Sequence, residues 1–349
     1  MPRLPMRKAL ALLLPLALTT TMTTAEACTD FRLKSKDGAV VVGRSLEFGL
    51  ELRSRIRIYR PDKADAGARY AFIGVDALGL PFITDGMNER GLSAGFLWMP
   101  GSRYETAGTG KESVEIKKLG TWILSRFASV DEAKIGLEGI AVTDSYIDEM
   151  KMVPPLHLSL HDASGKSLVV EIIDGKKNIY DNPGGVMTNT PTFDWHITNL
   201  RNYLHLSASN AEPIKINGTV LAPPGQGSGF LGIPGDWTPP SRFVRTAAMI
   251  HYAKTPETAS EAVNLAEHLL NAVDIPRGDI RDENGSMDYT QWAVIKDLKN
   301  RKFYFRSYRN IAIKVVDIEE ALKKNYTGFL PIAADETPVD VTAALAAGK

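Results

Sequence analysis

The hydrophobic pattern of this chain places strands at both ends and helices between them. Cys28 to Leu33 and Ala39 to Arg44 flank Lys36-Asp37-Gly38, and an Asp-Gly pair between alternating segments predicts a hairpin. Further strands are expected over Ile56 to Tyr59, Tyr70 to Val75, Phe82 to Asp85 and Leu92 to Trp98, the last entered through a turn at Asn88-Glu89-Arg90-Gly91. Ile116, Leu119, Ile123 and Phe127 recur at helical spacing, and Ser129 with Glu132 has the pattern of a capping box opening a second helix. Leu156 to His161 and Leu168 to Ile173 form another hairpin, and Phe193 to Leu206 reads as helix. Ser241 is expected to cap a helix reaching about Lys254. Thr255-Pro256 opens the next, with Ala259, Ala262, Val263, Ala266, Leu269, Leu270 and Val273 on one face. The last strands are Thr290 to Ile295, Phe303 to Tyr308 and Ile311 to Val316. Residues 207–240 are rich in Gly and Pro without periodicity, a length of loop that points to function or to a contact between copies. The tail after Pro331 reads as loosely ordered. With no repeat and no linker, residues 28–349 are expected to form one α+β domain.

The apolar run Ala9 to Leu18 stands apart from this pattern. It is too short to span a bilayer, which takes about 20 residues. Arg3, Arg7 and Lys8 precede it, and a Thr-rich stretch ending in Ala25-Glu26-Ala27 follows, which is the layout of a secretory signal peptide over residues 1–27. The mature protein is then periplasmic or secreted, with no membrane contact once the signal is removed. The chain has 41 basic and 41 acidic residues, and losing residues 1–27 removes three basic and one acidic, leaving a net charge near −2. That balance carries no electrostatic footprint for nucleic acid. Cys28 is the only cysteine, so it forms no internal disulfide.

A cut after Ala27 would make Cys28 the first residue, with a thiol and an α-amino group together. The thiolate is the reactive form of cysteine, and an α-amine with a pKa of about 7.7–8.0 is suited to act as its base. Such a nucleophile needs no histidine, and the histidines offer no partner set. His157 and His161 are four apart on a strand, too far to share a metal; His196, His205, His251 and His268 fall on expected helices as surface or satisfied core residues. The hairpin decides what meets Cys28. A two-residue turn at Asp37-Gly38 sets Glu47 across from Cys28, whereas a three-residue loop with Gly38 as a bulge puts Arg44 on its face. Arg44 and Glu47, three apart, reach Cys28 together only if the strand bends or ends near Ser45-Leu46. A lipid-anchored periplasmic binding protein, with Cys28 diacylated, is the reading from another class. Ala25 where a lipoprotein signal has Leu, and the charge of Glu26, argue against it.

Cys28-Thr29-Asp30-Phe31 followed by Gly43-Arg44-Ser45-Leu46-Glu47-Phe48 resembles the start of the choloylglycine hydrolase family, the N-terminal-nucleophile amidases that include penicillin V acylases and conjugated bile acid hydrolases. The similar blocks continue in order through Gly86-Met87-Asn88-Glu89-Arg90-Gly91-Leu92, Asn182-Pro183-Gly184-Gly185-Val186-Met187-Thr188-Asn189-Thr190-Pro191 and Pro234-Gly235-Asp236-Trp237-Thr238-Pro239-Pro240-Ser241-Arg242. The resemblance implies a four-layer αββα sandwich and hydrolysis of a linear amide of an N-acyl small molecule, with no cofactor and no metal. It implies Cys28 as nucleophile, Arg44 beside the thiol, and Glu47 orienting the amine where bile acid hydrolases carry Asp. Asn189 would donate to the oxyanion with a backbone N–H near Trp98, and Arg242 would hold the charge network. Arg242 opens a helix, where the dipole disfavours a cation, so a carboxylate or substrate is expected to compensate it. Trp98, where bile acid hydrolases carry Asn and penicillin V acylases an aromatic, stands with Phe48 as an apolar acyl pocket. The signal and Trp98 favour the exported penicillin V acylase-like branch, some of whose members cleave N-acyl homoserine lactones, over conjugated bile acid hydrolysis. The family also implies a homotetramer.

Overall fold

The hairpin turn sets the register from which the rest of the molecule is built. Ser35 N–H donates to the Ala39 carbonyl at 3.0 Å, so the loop is the three residues Lys36-Asp37-Gly38, with Gly38 at φ +78°, where a side chain would be strained. Asp37 Oδ1 holds it by accepting from Ser35 Oγ (2.5 Å) and from Ala39 N–H (3.0 Å). Cys28 therefore lies opposite Leu46 and Asp30 opposite Arg44, the second of the two registers the turn allowed. The strands Cys28–Lys34 and Val40–Phe48 are longer than their pattern suggested, and the second passes through Ser45-Leu46 without ending. Both of its faces are buried, so its pattern is continuous rather than alternating.

The computed structural model describes residues 27–108, 110–283 and 285–333. The apolar run Ala9 to Leu18, Ala25-Glu26 and the tail beyond residue 333 lie outside them. The first sheet runs Val186–Met187, Cys28–Lys34, Val40–Phe48, Met287–Asp297, Lys302–Ser307 and Asn310–Asp317, with Ile280–Arg281 paired to the fourth of these. The second runs Lys176–Asp181, Ser167–Ile173, Leu156–His161, Ser93–Trp98, Phe82–Asn88, Phe72–Ala77, Arg55–Tyr59 and Phe329–Pro331. Every pairing within the two sheets is antiparallel. The sheets stack through the Cys28–Lys34, Val40–Phe48 and Ser93–Trp98 strands. The helices Pro239–Tyr252 and Ala259–Asn271 cover the outside of the first sheet, and Ile116–Arg126 covers the second. This is the αββα sandwich, with one apolar core running through its layers.

Several boundaries differ from the pattern for local reasons. The helix expected after Ser241 begins at Pro239, because Pro239 and Pro240 suit its first two positions; Thr238 is its N-cap and Ser241 Oγ donates instead to Asp236 (2.7 Å). The next helix begins at Ala259, capped by Thr258 Oγ1, which accepts from Glu261 N–H (3.3 Å). Phe193–Leu200 gives way to a tighter turn at Arg201–Tyr203, and the 207–240 segment contains a small hairpin of Ile214–Ile216 with Thr219–Leu221. The helix Ile318–Lys323 and the parallel pair Glu112–Glu115 with Ile140–Thr143 had no clear pattern in the sequence.

Candidate active site

Cys28 begins the first strand with its side chain between the two sheets and only 4% of the residue exposed. Ala27 still precedes it, and the Ala27 carbonyl accepts from Glu47 N–H at 2.9 Å. Because Ala27 and Glu47 form the hydrogen-bonded pair, the N–H and C=O of Cys28 turn away from that strand. They point toward the segment that follows Val186–Met187. There the Cys28 nitrogen donates to Asn189 Oδ1 at 2.6 Å, and its carbonyl accepts from Arg242 Nη1 at 2.5 Å. The thiol looks the other way, with Arg44 Nη2 at 3.9 Å. Burial pushes the Cys28 thiol up; Arg44 opposes this, Glu47 adds to it, and backbone N–H groups of Trp98 and Glu47 favour the thiolate. A thiol so raised needs a base.

The five residues expected to act together do meet, on two faces of one strand pair. Arg44 shares the inter-sheet face with Cys28, and Glu47 lies on the opposite face with Thr29, toward the helices. The strand that carries both runs unbroken through Ser45-Leu46, and the irregularity lies in its neighbour, where the register shifts between Thr290 and Trp292 opposite Glu47 and Leu46. Glu47 accepts from Thr290 Oγ1 (2.9 Å), while its other oxygen is buried without a hydrogen-bond partner among the described residues. Burial, opposed by Arg242, pushes its carboxyl up to about 7. Arg242 sits in the first turn of its helix, as the dipole argument required, and its compensation is mixed. Its guanidinium donates to Trp237 O (2.9 Å), Thr29 Oγ1 (2.7 Å), Asn189 Oδ1 (2.8 Å) and the Cys28 carbonyl, with Glu47 supplying the opposing charge.

Asn189 is held from both ends. Its Oδ1 accepts two bonds, and its Nδ2 donates to the Trp98 carbonyl at 2.7 Å; the reversed amide would set an NH2 against two donors, so the network selects this orientation. One Nδ2 hydrogen is thus used on Trp98 and one is left. The Asn189 carbonyl accepts from His196 Nε2 (2.9 Å), whose ring stacks on Phe243 at 4.6 Å. Burial holds His196 down to about 4, so it is neutral with its hydrogen on Nε2. His157 Nε2 donates in the same way to the Thr188 carbonyl (2.9 Å). Two histidines set aside on sequence grounds therefore brace the segment that carries Asn189.

Between the sheets lies a charge cluster that the sequence did not reveal. Asp85 takes Lys296 Nζ on both oxygens (2.8 and 2.7 Å) and has Arg44 Nε at 3.8 Å, all three side chains fully buried. Beside it, His161 Nε2 meets Asp30 Oδ1 at 2.5 Å, and Ser159 Oγ donates to the same oxygen at 2.8 Å. These are the residue types of a hydrolytic triad, but one ring nitrogen faces both partners instead of the imidazole bridging them, and none of the three lines the cavity at Cys28. The available signal was phase: Lys296 follows Trp292 and Val294 at strand spacing, a cation in register with an apolar face.

Phe48 and Trp98 meet edge to face at 5.4 Å above the thiol. With Cys28, Leu46, Leu52, Phe82, Phe96 and Leu156 they enclose a slot of about 40 Å³, where Thr84 is the one hydroxyl-bearing residue of the wall.

Residues 28–327 match the profile of the linear amide C-N hydrolases, choloylglycine hydrolase family. A bile salt hydrolase/transferase from Clostridium perfringens is 33% identical over 319 residues, covering 86% of this chain and 94% of that one. A penicillin V acylase from Pectobacterium atrosepticum is 29% identical over 259 residues, 69% of this chain and 63% of that one. Among solved structures, a conjugated bile acid hydrolase from Clostridium perfringens superposes with a TM-score of 0.80 at 30% identity, over 90% of this chain and 99% of that one. A penicillin V acylase from Agrobacterium tumefaciens gives 0.69 at 25% identity, over 86% and 90%.

Proposed function

From the premise that this chain belongs to the choloylglycine hydrolase family, and so is a linear amide amidohydrolase, we propose that Cys28 is its nucleophile once a cut after Ala27 frees the nitrogen. The observation that carries this is the divergence at Cys28: its nitrogen is bound by Asn189 while its thiol faces Arg44. The thiol proton passes to the free amine and the sulfur bonds the amide carbonyl carbon. The oxyanion is held by the second Nδ2 hydrogen of Asn189 and the backbone N–H of Trp98. As the C–N bond breaks, the amine returns its proton to the leaving nitrogen. A water, losing its proton to the same amine, then bonds the carbonyl carbon; the C–S bond breaks, the acyl group leaves as a carboxylic acid, and the amine returns the proton to the sulfur. Glu47 orients the amine, and Arg242 holds Asn189 and the Cys28 carbonyl around it.

Export supplies the cut in this reading. Ala27 and Cys28 are both buried in the folded chain, which supports removal of residues 1–27 before this end docks. The mass of the mature N-terminus checks the step: a terminal free Cys28 is expected, whereas a diacylated Cys28 would make the protein an anchored one and end this mechanism. Cys28→Ala is expected to abolish turnover, and full activity in it would end the mechanism too.

The apolar lining at the thiol supports an apolar acyl group such as an aryloxyacetyl or fatty acyl chain, as in a penicillin V acylase-like or N-acyl homoserine lactone-cleaving enzyme, and at about 40 Å³ the slot must widen to admit it. Hydrolysis of conjugated bile acids is the second reading, favoured by the higher identity and TM-score of the bile acid enzymes. Relative kcat/KM for a phenoxyacetyl amide, a long-chain acyl homoserine lactone and a glycine-conjugated bile acid separates them; a bile acid preference would displace the first reading. Exposed Ile214, Ile216, Val220 and Leu221 on the 207–240 segment support the homotetramer, which light scattering checks.

A further inference from the structure

We propose that the buried pair Asp85–Lys296 positions Arg44, keeping its guanidinium extended toward the Cys28 thiol; this rests on the reading of Cys28 as nucleophile. Arg44 lies opposite Val294, and Lys296 opposite Val42, so the two cations are diagonal neighbours on the inter-sheet face. One carboxylate, Asp85 of the second sheet, reaches them both. Its two oxygens are occupied by Lys296 at 2.7 and 2.8 Å, which leaves Arg44 at 3.8 Å, outside the paired, two-bond geometry that guanidinium and carboxylate otherwise adopt. Arg44 is instead spread over three other supports: the Phe96 carbonyl, which is a close acceptor, and more loosely the Trp292 ring at 5.0 Å and Cys28 Sγ at 3.9 Å. Its Nε and Nη1 make no hydrogen bond among the described residues.

The space for this arrangement is specific. Gly95 lies opposite Asp85, and a Cβ there would come within 3.0 Å of Asp85 Oδ2 and 3.2 Å of Arg44 Cδ, wedging the contact apart. The other charged groups near Arg44 have partners of their own. Asp30, opposite Arg44, is held through Oδ1 by His161 and Ser159 while its Oδ2 makes no hydrogen bond among the described residues, and Glu47 and Arg242 face each other across the opposite side of the strand. With Lys296 alone removed, the Asp85 carboxylate is free to take Arg44 in two bonds and draw it off the thiol; without both members, the carboxylate along the Arg44 Nε edge is gone and the guanidinium is free to leave its extended position. In this dry layer an ångström or two of charge displacement changes the thiolate's stabilisation strongly.

The test reads the thiol directly. On the mature protein, the rate of Cys28 alkylation by iodoacetamide is followed against pH by mass spectrometry, beside kcat/KM on a linear amide. The double variant Asp85→Asn/Lys296→Met removes one charge of each sign, so the summed field at Cys28 is nearly unchanged and a buried pair is replaced by a neutral one. The expected result is an alkylation midpoint raised by about 1–3 pH units, the range an adjacent opposite charge commands. kcat/KM at neutral pH falls at least about tenfold, since each pH unit of midpoint is one decade of thiolate. In an Arg44→Met background the double variant adds no further shift. Should the double variant fail to fold, Asp85→Glu keeps both charges and pushes the carboxylate toward Arg44, and is likewise expected to raise the midpoint. A midpoint equal to wild type in the folded variant, or a shift that persists in full without Arg44, overturns the proposal. If wild-type protein alkylates at Cys28 but hydrolyses no linear amide, the nucleophile reading fails while the midpoint still reports on Arg44.

Discussion

Two fully buried arginines flank Cys28, and their contacts are opposite in kind. Arg242 donates from every guanidinium nitrogen to fixed, mostly neutral acceptors: Trp237 O, Cys28 O, Thr29 Oγ1 and Asn189 Oδ1. Arg44 has one strong acceptor, the Phe96 carbonyl, and otherwise leans on an aromatic face, a distant carboxylate and the thiol. A saturated guanidinium acts as a clamp, because removing it leaves several buried acceptors unpaired. An under-coordinated one keeps spare donors and positive charge available for a thiolate that forms and disappears during turnover. The two faces of one strand thus separate holding from reacting.

Removing each arginine in turn would break this contrast if it is wrong. Arg242→Met is expected to cost about 3–5 kcal/mol of stability, the range for stripping one partner from a buried hydrogen-bonded charge network, read as a lowered urea midpoint. Arg44→Met is expected to lower kcat/KM by about 10²–10³-fold, as for loss of one preorganised electrostatic donor, with a much smaller change in the urea midpoint because Asp85 keeps Lys296. Equal stability losses in the two variants would erase the distinction.

A finer test uses pH on the clamp side. His196, which carries the Asn189 carbonyl, has its folded pKa depressed to about 4 from 6.5. As pH falls from 6.5 toward 4 the unfolded chain binds a proton that the folded chain does not, so this residue makes the protein progressively less stable in acid, by up to about 3 kcal/mol. His196→Gln, which keeps a donor, removes that term. The stability gap between wild type and variant, measured by urea unfolding at pH 7 and pH 4.5, is therefore expected to move in the variant's favour at the lower pH. A gap independent of pH would show that His196 is not held neutral.

The alternation of apolar and polar residues was enough for most strands, because burial of one face imposes a two-residue period that survives any choice of partner. The helical face from Ala259 to Leu270 was legible for the same reason, and its residues are the ones buried against the first sheet. Cys28, Arg44, Glu47, Asn189 and Arg242 were legible as motif positions. Helix starts were harder, since Thr258 and Thr238 compete with nearby Thr255 and Ser241 as caps, and the prolines decide only one of those contests.

By itself, then, the sequence determined the strand and helix periods, the three residues available to the hairpin turn, and a single cysteine at the head of the first strand. Tertiary structure decided the rest. Distant segments hold the three-residue turn, with Lys36 and Asp37 N–H donating to the Pro256 and Glu257 carbonyls and Ala259 N–H to the Asp37 carboxylate, in the register that puts Arg44 rather than Glu47 on the Cys28 face. Stacking of the second sheet brought Asp85 to Lys296, two residues more than two hundred positions apart. Period-two patterning tells which face a side chain occupies but carries no information about which carboxylate the opposing sheet will present, and the behaviour of Arg44 depends on that carboxylate.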